Sequence, residues 1–297
     1  MNTIKKYGET IRMIREQKGY TMKELAQEIL SVSFLSKFER GESDITLGLF
    51  NKLAERLMIT IEEFLFIHND YEINNLEQFF IEAGSAYYNR DSKKIHHLKQ
   101  IEMEKWKKHK IDSYYYSYLF LKVYALIVDN DDISTTKEDI DRLSDYLFRV
   151  ERWGYYEMML YSSTMLFLDT ERVVQLSKIT YEKCNRYKRW EKYNSIVVSI
   201  LINTIIHLIG PVNWGNEKLK TFQQEAANFF SYLATMSIPE ANLFERVQIL
   251  QLKGIYEIKM GHIKQGKQKV EKAVQILKEL DSHKIAFNIE SYVKLIT

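Results

Sequence analysis

The stretch SVSFLSKFERGES, residues 31–43, decides how this chain is read. Ser31 is the residue type that caps a helix by accepting a free backbone N–H. At about 100° per residue, Leu35 and Phe38 fall on one side of the helix that follows. Ser33, Ser36, Lys37 and Arg40 project the opposite way. Phe34 lies nearest Phe38 and is expected to be structural, whereas Val32 flanks the exposed face. Gly41 is suited to the left-handed position that ends a helix. The spacing therefore predicts a short helix with an apolar inner side and a polar outer one, interrupted only by Val32.

The flanking sequence supplies the elements for that inner side to pack on. In IKKYGETIRMIREQ, residues 4–17, Ile4, Tyr7, Ile11 and Ile14 recur at steps of three and four, one face of a helix that Gly19 stops. Thr21 and Glu24 have the spacing of a capping box, in which each side chain satisfies a backbone N–H at the helix start. Met22, Leu25, Ala26 and Ile29 continue an apolar face. Downstream, Leu49, Leu53, Ala54 and Leu57 mark a fourth helix, and Thr60 with Glu63 is a second capping box opening a fifth.

Five short helices in this order, with REQKGYTMKELAQEI leading to LSKFERGES, resemble the lambda-repressor-like helix-turn-helix domain over residues 4–67. The resemblance implies that the second helix braces a DNA backbone and the third enters the major groove. It places Val32, Ser33 and Lys37 at base edges. Lys37 suits guanine O6 or N7, Ser33 suits several bases, and Val32 suits a thymine methyl. Thr21, Lys23, Ser36, Arg40 and Ser43 are expected at phosphates, which fix register without reading sequence. The family pattern also implies a bridge between Arg15 and Glu39 that holds the first helix to the third.

The rest of the chain reads as helices. Two prolines and eleven glycines in 297 residues are too few for many tight turns, so long helices with short polar loops are expected. Net charge is only +2, but residues 1–40 carry eight Lys/Arg against five acids, and residues 89–110 carry eight against three. Such local patches steer anionic partners without a basic average. The N-terminus has no apolar segment of signal-peptide length. The run IVVSILINTIIHLIG, residues 196–210, is shorter than the roughly 18–20 residues of a spanning helix and holds Asn203 and His207. It is read as a helix buried in protein, with no membrane partner. Cys184 is the single cysteine and has no internal partner for a disulfide, which fits a reducing, cytoplasmic setting.

HNDYEINN, residues 68–75, is the expected hinge, giving a DNA-binding domain over 1–68, a linker over 69–75 and a repeat domain over 76–297. Helices are expected over 76–90, 92–109, 112–129, 137–149, 153–168, 171–188, 190–209, 216–236, 239–260, 263–280 and 282–296. The unit LKGIYEIKMGHIKQGKQKVEKAVQILKEL, with Gly254, Tyr256, Gly261, Gly266, Ala273 and Leu277, resembles a tetratricopeptide repeat. The fold class is all-α: a five-helix head followed by a degenerate helical solenoid.

A lambda-repressor-like head followed by about ten helices, with FERGES, RVERWGYYE and ERVQILQLKGIYEIKMG as marks, resembles the Rgg/GadR/MutR regulators. The resemblance implies a dimeric transcription factor on near-palindromic double-stranded DNA. It also implies that the repeat domain binds a short hydrophobic signalling peptide, as in quorum sensing. RNA polymerase is a further partner to consider. Within RVERWGYYE, Arg149 and Arg152 suit a terminal carboxylate, and Tyr155 and Tyr156 suit an apolar groove, with Trp153 expected as interhelix core. Asn203 suits a peptide unit, or a satisfied interior position. Two other readings stay open: a regulator with a non-peptide effector or protein partner, and a repeat scaffold whose head no longer binds DNA. No phosphate loop, nucleophile elbow or paired metal motif is visible, so neither an enzyme nor a cofactor is expected. The basic run from Lys93 to Lys110 reads as a solvated face or as a contact to flanking DNA phosphates, and His96 and His97 point too far apart to share a metal.

Overall fold

The computed structural model describes residues 6–131, 137–210 and 221–297. The described residues are 78% helical, with 16 α-helices and no strand among them. The chain divides into two compact units between Glu82 and Ala83.

The first unit holds α1 (Tyr7–Gln17), α2 (Met22–Ala26), α3 (Val32–Glu39), α4 (Leu47–Arg56) and α5 (Ile61–His68). Their inner faces meet in one core of Ile11, Ile14, Leu25, Leu35, Phe38, Leu53, Leu57 and Phe64. Local chemistry sets the ends. Both bonds of the Thr21–Glu24 capping box form. Ser31 accepts the Phe34 N–H at 3.1 Å. At Thr60 only one half of the expected box forms, the Glu63 N–H donating to the threonine hydroxyl at 3.0 Å. The second helix is shorter than its apolar pattern implied: it ends at Ala26, and Ile29 packs from the turn beyond it. Arg56, which the sequence did not single out, closes that short helix by donating to the carbonyls of Glu24, Leu25 and Gln27.

The segment after α5 leads into α6 (Asn75–Tyr88), which runs across the boundary between the units. The second unit then contains α7 (Ser92–His109), α8 (Asp112–Asp129), α9 (Lys137–Arg149), α10 (Tyr155–Thr164), α11 (Thr170–Cys184), α12 (Glu191–Ile209), α13 (Gln223–Thr235), α14 (Leu243–Lys259), α15 (Ile263–Glu279) and α16 (His283–Ile296). Successive helices pair, as α7 with α8, α11 with α12 and α14 with α15. The even-numbered members α8, α10, α12, α14 and α16 also touch in series, forming one continuous layer. That is a solenoid of stacked pairs.

Three expected spans differ from the structure. Residues 153–168 begin as a helix only at Tyr155, because Gly154 is the extended N-cap whose N–H is held by Glu157 Oε2 at 2.8 Å. They end in a single 3-10 turn, Met165–Phe167. Residues 171–188 likewise finish in a 3-10 turn at Asn185–Tyr187. Residues 239–242 form a turn, with the carbonyls of Ile238 and Pro239 bound by Arg246. The first residues of the expected span 216–236 lie outside the described residues.

Tight helix contact in the repeat unit comes from the paired glycines. A Cβ on Gly254 would lie 2.7 Å from the Gly266 carbonyl, and one on Gly266 would lie 2.5 Å from the Gly254 carbonyl. Helix α12 has 19 residues, so it is longer than the apolar run alone indicated and passes the length and hydropathy test for a membrane span. However, 61% of its most apolar window is buried among the other helices, as expected of a core helix. On its buried side Thr204 donates to the Ile200 carbonyl, and Ser177 joins Thr204 to the Tyr161 hydroxyl at 2.6 and 2.7 Å.

Candidate functional site

Helix α3 is positioned by its two ends and by α1. Its C-terminus closes in a Schellman arrangement, with Gly41 N–H on the Phe38 carbonyl at 2.8 Å and Glu42 N–H on the Lys37 carbonyl at 2.9 Å. Gly41 has φ +68°, where a side chain is strained. Gly8 on α1 lies directly against the Phe38 carbonyl, so α1 crosses the end of α3 with no room for a Cβ. Leu35, Phe38 and Glu39 are buried. Val32 is 43% exposed, Ser33 and Lys37 are exposed, and Phe34 is half-buried. Val32, Ser33 and Lys37 therefore stand together on one open face of a fixed helix.

The five residues expected at phosphates differ in how free they are. Lys23 is exposed, and among the described residues its side chain has no hydrogen bond or ion pair, while its carbonyl accepts the Gln27 N–H at 3.1 Å. Thr21 donates both its backbone N–H and its hydroxyl to Glu24, at 2.8 and 2.7 Å. Arg40 grips Glu42 through two nitrogens at 2.7 and 2.8 Å and also bonds the Ser36 hydroxyl. That contact holds the Arg40 guanidinium above, and the Glu42 carboxyl below, their ordinary values. Arg40 therefore already carries an acidic partner, Glu42, on two of its nitrogens. Ser43 is half-buried, and its hydroxyl oxygen has no hydrogen-bond partner among the described residues.

The second unit carries an apolar groove of about 560 Å³ between α12, α14 and α16, lined also by Leu277 of α15. Ile206, Ile209 and Gly210 form one wall, Phe244, Val247, Leu252 and Ile255 another, and Ile285, Ile289 and Tyr292 a third. Phe244 is 53% exposed and turns part of its ring to the groove. Gln248, Gln251 and Asn288 add side-chain amides and His207 an imidazole, and among the described residues no carboxylate, lysine or arginine lines the groove. At its edge Lys259 donates to the Ile209 carbonyl at 2.7 Å and the Tyr292 hydroxyl to the Gly210 carbonyl at 2.8 Å, closing the end of α12. Burial lowers the proton affinity of Lys259 and raises that of Tyr292. The groove combines apolar walls with a few fixed amides, the usual composition of a site for an uncharged organic ligand.

The residues expected at a peptide fall into separate places. Trp153 is buried, donating its indole N–H to the Leu147 carbonyl at 3.0 Å. Tyr156 donates its hydroxyl to the Ser113 carbonyl at 2.6 Å, so its polar end is committed to the fold. Arg149 reaches the Tyr116 hydroxyl at 3.5 Å in a shallow slot with Trp106, Tyr115, Tyr146 and Arg142. Arg152 is exposed. Tyr155 is half-buried beside Tyr193 of α12, with the Lys192 ammonium 4.7 Å from its ring centre. Asn203 is half-buried one turn before Ile206, on the approach to the groove. The fully interior asparagine of α12 is Asn194, bonded to the Ser237 carbonyl at 2.6 Å. The groove residues Phe244, Gln248, Gln251, Asn288 and Tyr292 were not found from sequence; the one local signal is an exposed phenylalanine in the first turn of α14.

Comparison with known proteins agrees with this architecture. The family profile described as "HTH-type transcriptional regulator Rgg, C-terminal domain" matches residues 95–291, and one described as "Helix-turn-helix" matches residues 11–64. The chain is similar to a variant form of the SHP pheromone receptor Rgg2 of Streptococcus dysgalactiae, with 25% identity, TM-score 0.79 and coverage of 98% of this chain and 99% of that one. It is also similar to a protein of Listeria monocytogenes EGD-e assigned as a transcriptional regulator, with 23% identity, TM-score 0.83 and coverage of 99% and 98%. A complex of PrgX with cCF10 has the same fold at 18% identity, TM-score 0.69 and coverage of 98% and 99%.

Proposed function

Since the chain belongs to the family of HTH-type transcriptional regulators represented by Rgg, we propose that it is a cytoplasmic, sequence-specific DNA-binding regulator set by a short hydrophobic peptide. The peptide occupies the groove between α12, α14 and α16. The observation that carries this reading is the groove itself: about 560 Å³, apolar, open and, among the described residues, without a carboxylate, lysine or arginine on its walls. The similarity to an SHP pheromone receptor and to a PrgX complex supports a peptide over another apolar ligand.

In this reading residues 1–68 bind DNA, 69–75 link, and 76–297 bind the peptide and dimerise. Val32, Ser33 and Lys37 read bases of a near-palindromic operator, and Lys23 anchors a phosphate. Arg40 and Ser36 join it once Glu42 yields, and Thr21 contributes through its backbone position. Peptide contacts extend from the groove through Asn203 to Tyr155 and Arg152, with Arg149 and Tyr156 supporting that corner. No enzymatic step or cofactor is invoked; the peptide acts by changing the dimer's geometry or its contacts with RNA polymerase. Band-shift titration of the full chain against duplex DNA, with and without hydrophobic peptides, tests both halves. Saturable peptide binding that alters operator affinity or transcription supports the reading, and its absence across a broad panel contradicts the peptide half alone.

A further inference from the structure

The turn that joins α11 to α12 carries an open aromatic stack. Tyr187, Trp190 and Tyr193 are three residues apart, and the Trp190 N–H closes the turn on the Tyr187 carbonyl at 2.8 Å. The Tyr193 ring meets Tyr187 at 4.6 Å between centres and 29° between planes. It meets Trp190 at 4.5 Å and 37°. Tyr187 and Tyr193 are half-buried, whereas Trp190 is 52% exposed.

The same turn is strongly basic. Residues 183–193, KCNRYKRWEKY, hold five Lys/Arg against one acid, Glu191, with Glu182 just before them. Two of the cations are committed to the fold: Lys183 donates to the Val150 carbonyl at 2.6 Å and Arg186 to the Lys183 carbonyl at 3.0 Å. Lys188 and Arg189 are exposed, and among the described residues their side chains have no hydrogen bond or ion pair. The positive end of the α12 macrodipole adds to their potential. Cations without partners thus flank rings that are open to water.

We propose that this turn binds single-stranded nucleic acid, a base continuing the stack on Trp190 and phosphates pairing with Lys188 and Arg189. Every base has a flat face, so stacking on an aromatic side chain tolerates any sequence, and cations beside it follow the backbone. A duplex covers its base faces and offers this turn phosphates alone; an unpaired strand offers both. An anionic bilayer also attracts Trp, Lys and Arg, but it takes up apolar side chains such as leucine as well. Among the described residues of 182–193 none of the exposed ones is aliphatic. The site is distinct from the apolar groove, since Ile206 lies sixteen residues beyond Trp190, about 24 Å along α12 at ~1.5 Å per residue. It stands independently of the peptide reading and gives the repeat domain a nucleic-acid contact of its own.

The test is fluorescence anisotropy of the full chain with labelled hexameric strands of DNA and of RNA, natural and abasic, at several salt concentrations. Natural strands bind, and abasic strands of equal charge bind about tenfold or more weakly, the scale of one stacked base. Filling the head with selected duplex does not displace them. Trp190→Ala loses about tenfold, and Trp190→Phe, which keeps a stacking ring, recovers most of it. Lys188→Ala/Arg189→Ala lowers the slope of log K against log salt by about one unit or slightly more. A preference for RNA over DNA, or the reverse, identifies which strand is the natural occupant. Equal binding of natural and abasic strands overturns the proposal, as does displacement by duplex or an equal loss in both Trp190 variants. Failure of every strand to bind also overturns it, and phosphatidylglycerol vesicles that then quench tryptophan fluorescence assign the turn to a bilayer instead.

Discussion

Arg15 on α1 and Glu39 on α3 form a two-pronged ion pair, Nε to Oε1 at 2.7 Å and Nη2 to Oε2 at 2.8 Å, with both side chains almost wholly buried. The remaining nitrogen Nη1 donates to the Tyr20 carbonyl at 2.9 Å, so the guanidinium also fixes the turn before α2. The bond to Glu39 raises the proton affinity of Arg15 above its ordinary value against the opposing effect of burial. This pair sets the angle at which α3 presents Val32, Ser33 and Lys37.

Removing one partner leaves the other charge buried and unmatched, which costs about 3–5 kcal/mol. Glu39→Ala is therefore expected to unfold the head at markedly lower urea concentration. Arg15→Met/Glu39→Leu, which removes both charges, is expected to lose much less. A double-variant loss equal to the sum of the Arg15→Met and Glu39→Leu losses would show that the pair does not act as a unit.

Lys37 and Lys23 are expected to separate reading from anchoring. Lys37→Ala reduces discrimination between operator and altered operator by about 1–3 kcal/mol, as for loss of a base contact. Lys23→Ala weakens all sequences alike and lowers the slope of log K against log salt by about one unit. Competition titrations at several salt concentrations distinguish the two patterns.

Gly254→Ala is expected to destabilise the second unit by about 1–3 kcal/mol, because the added methyl meets the Gly266 backbone and Val270 at under 3 Å. Gly48→Ala is the contrasting case. Gly48 lies in α4 with nothing within 4 Å of a built Cβ, so alanine there is expected to stabilise the head by up to about 1 kcal/mol. Urea denaturation of both variants gives opposite signs if helix contact decides the outcome.

The capping box gives α2 a dependence on acid. The backbone N–H and then the hydroxyl of Thr21 hold the Glu24 carboxyl below its ordinary value of 4.5. The folded value lies below the unfolded one, so the contribution is present above about pH 4.5 and is lost as pH falls through the lower folded value. Thermal melts between neutral and acid pH are expected to show a flatter acid limb for Glu24→Gln than for the unaltered head.

Phe244→Ala is expected to weaken peptide binding by more than about 1 kcal/mol, as for a central aromatic contact, without loss of folding, since the ring is 53% exposed. Ile206→Lys, also at an exposed position, is expected to abolish binding by placing a charge in the groove. Circular dichroism of both variants separates lost binding from lost structure.

Much of this was legible in the sequence because it is local. Ser31, Thr21 with Glu24 and Gly41 mark helix ends through bonds spanning three or four residues, and the spans 92–109, 112–129 and 137–149 coincide with α7, α8 and α9. Gly254 and Gly266 stood out because small residues on paired helices have a stated packing purpose. The groove was not legible, because Ile206, Phe244 and Tyr292 come from three helices up to 86 residues apart and are residue types that usually fill a core. Commitment of a side chain was hidden too. Arg40 reads as a free cation, yet its partner Glu42 is two residues away beyond the helix end, where helical spacing predicts no contact. Asn203 drew attention by its apolar neighbours, whereas the interior asparagine is Asn194, held by a carbonyl 43 residues later.

The central claim, that a peptide in the repeat domain controls a DNA-reading head, is tested most directly by one titration. Duplexes selected by the full chain from a random library are measured against scrambled DNA, with and without a hydrophobic peptide acid that binds the chain. The account predicts that selected DNA binds about a thousandfold or more tighter than scrambled DNA at physiological salt, and that saturating peptide shifts the selected-site affinity or the transcription driven from it. Equal affinity for selected and scrambled DNA would contradict the DNA-reading head, and a bound peptide that changed neither operator affinity nor transcription would contradict its control.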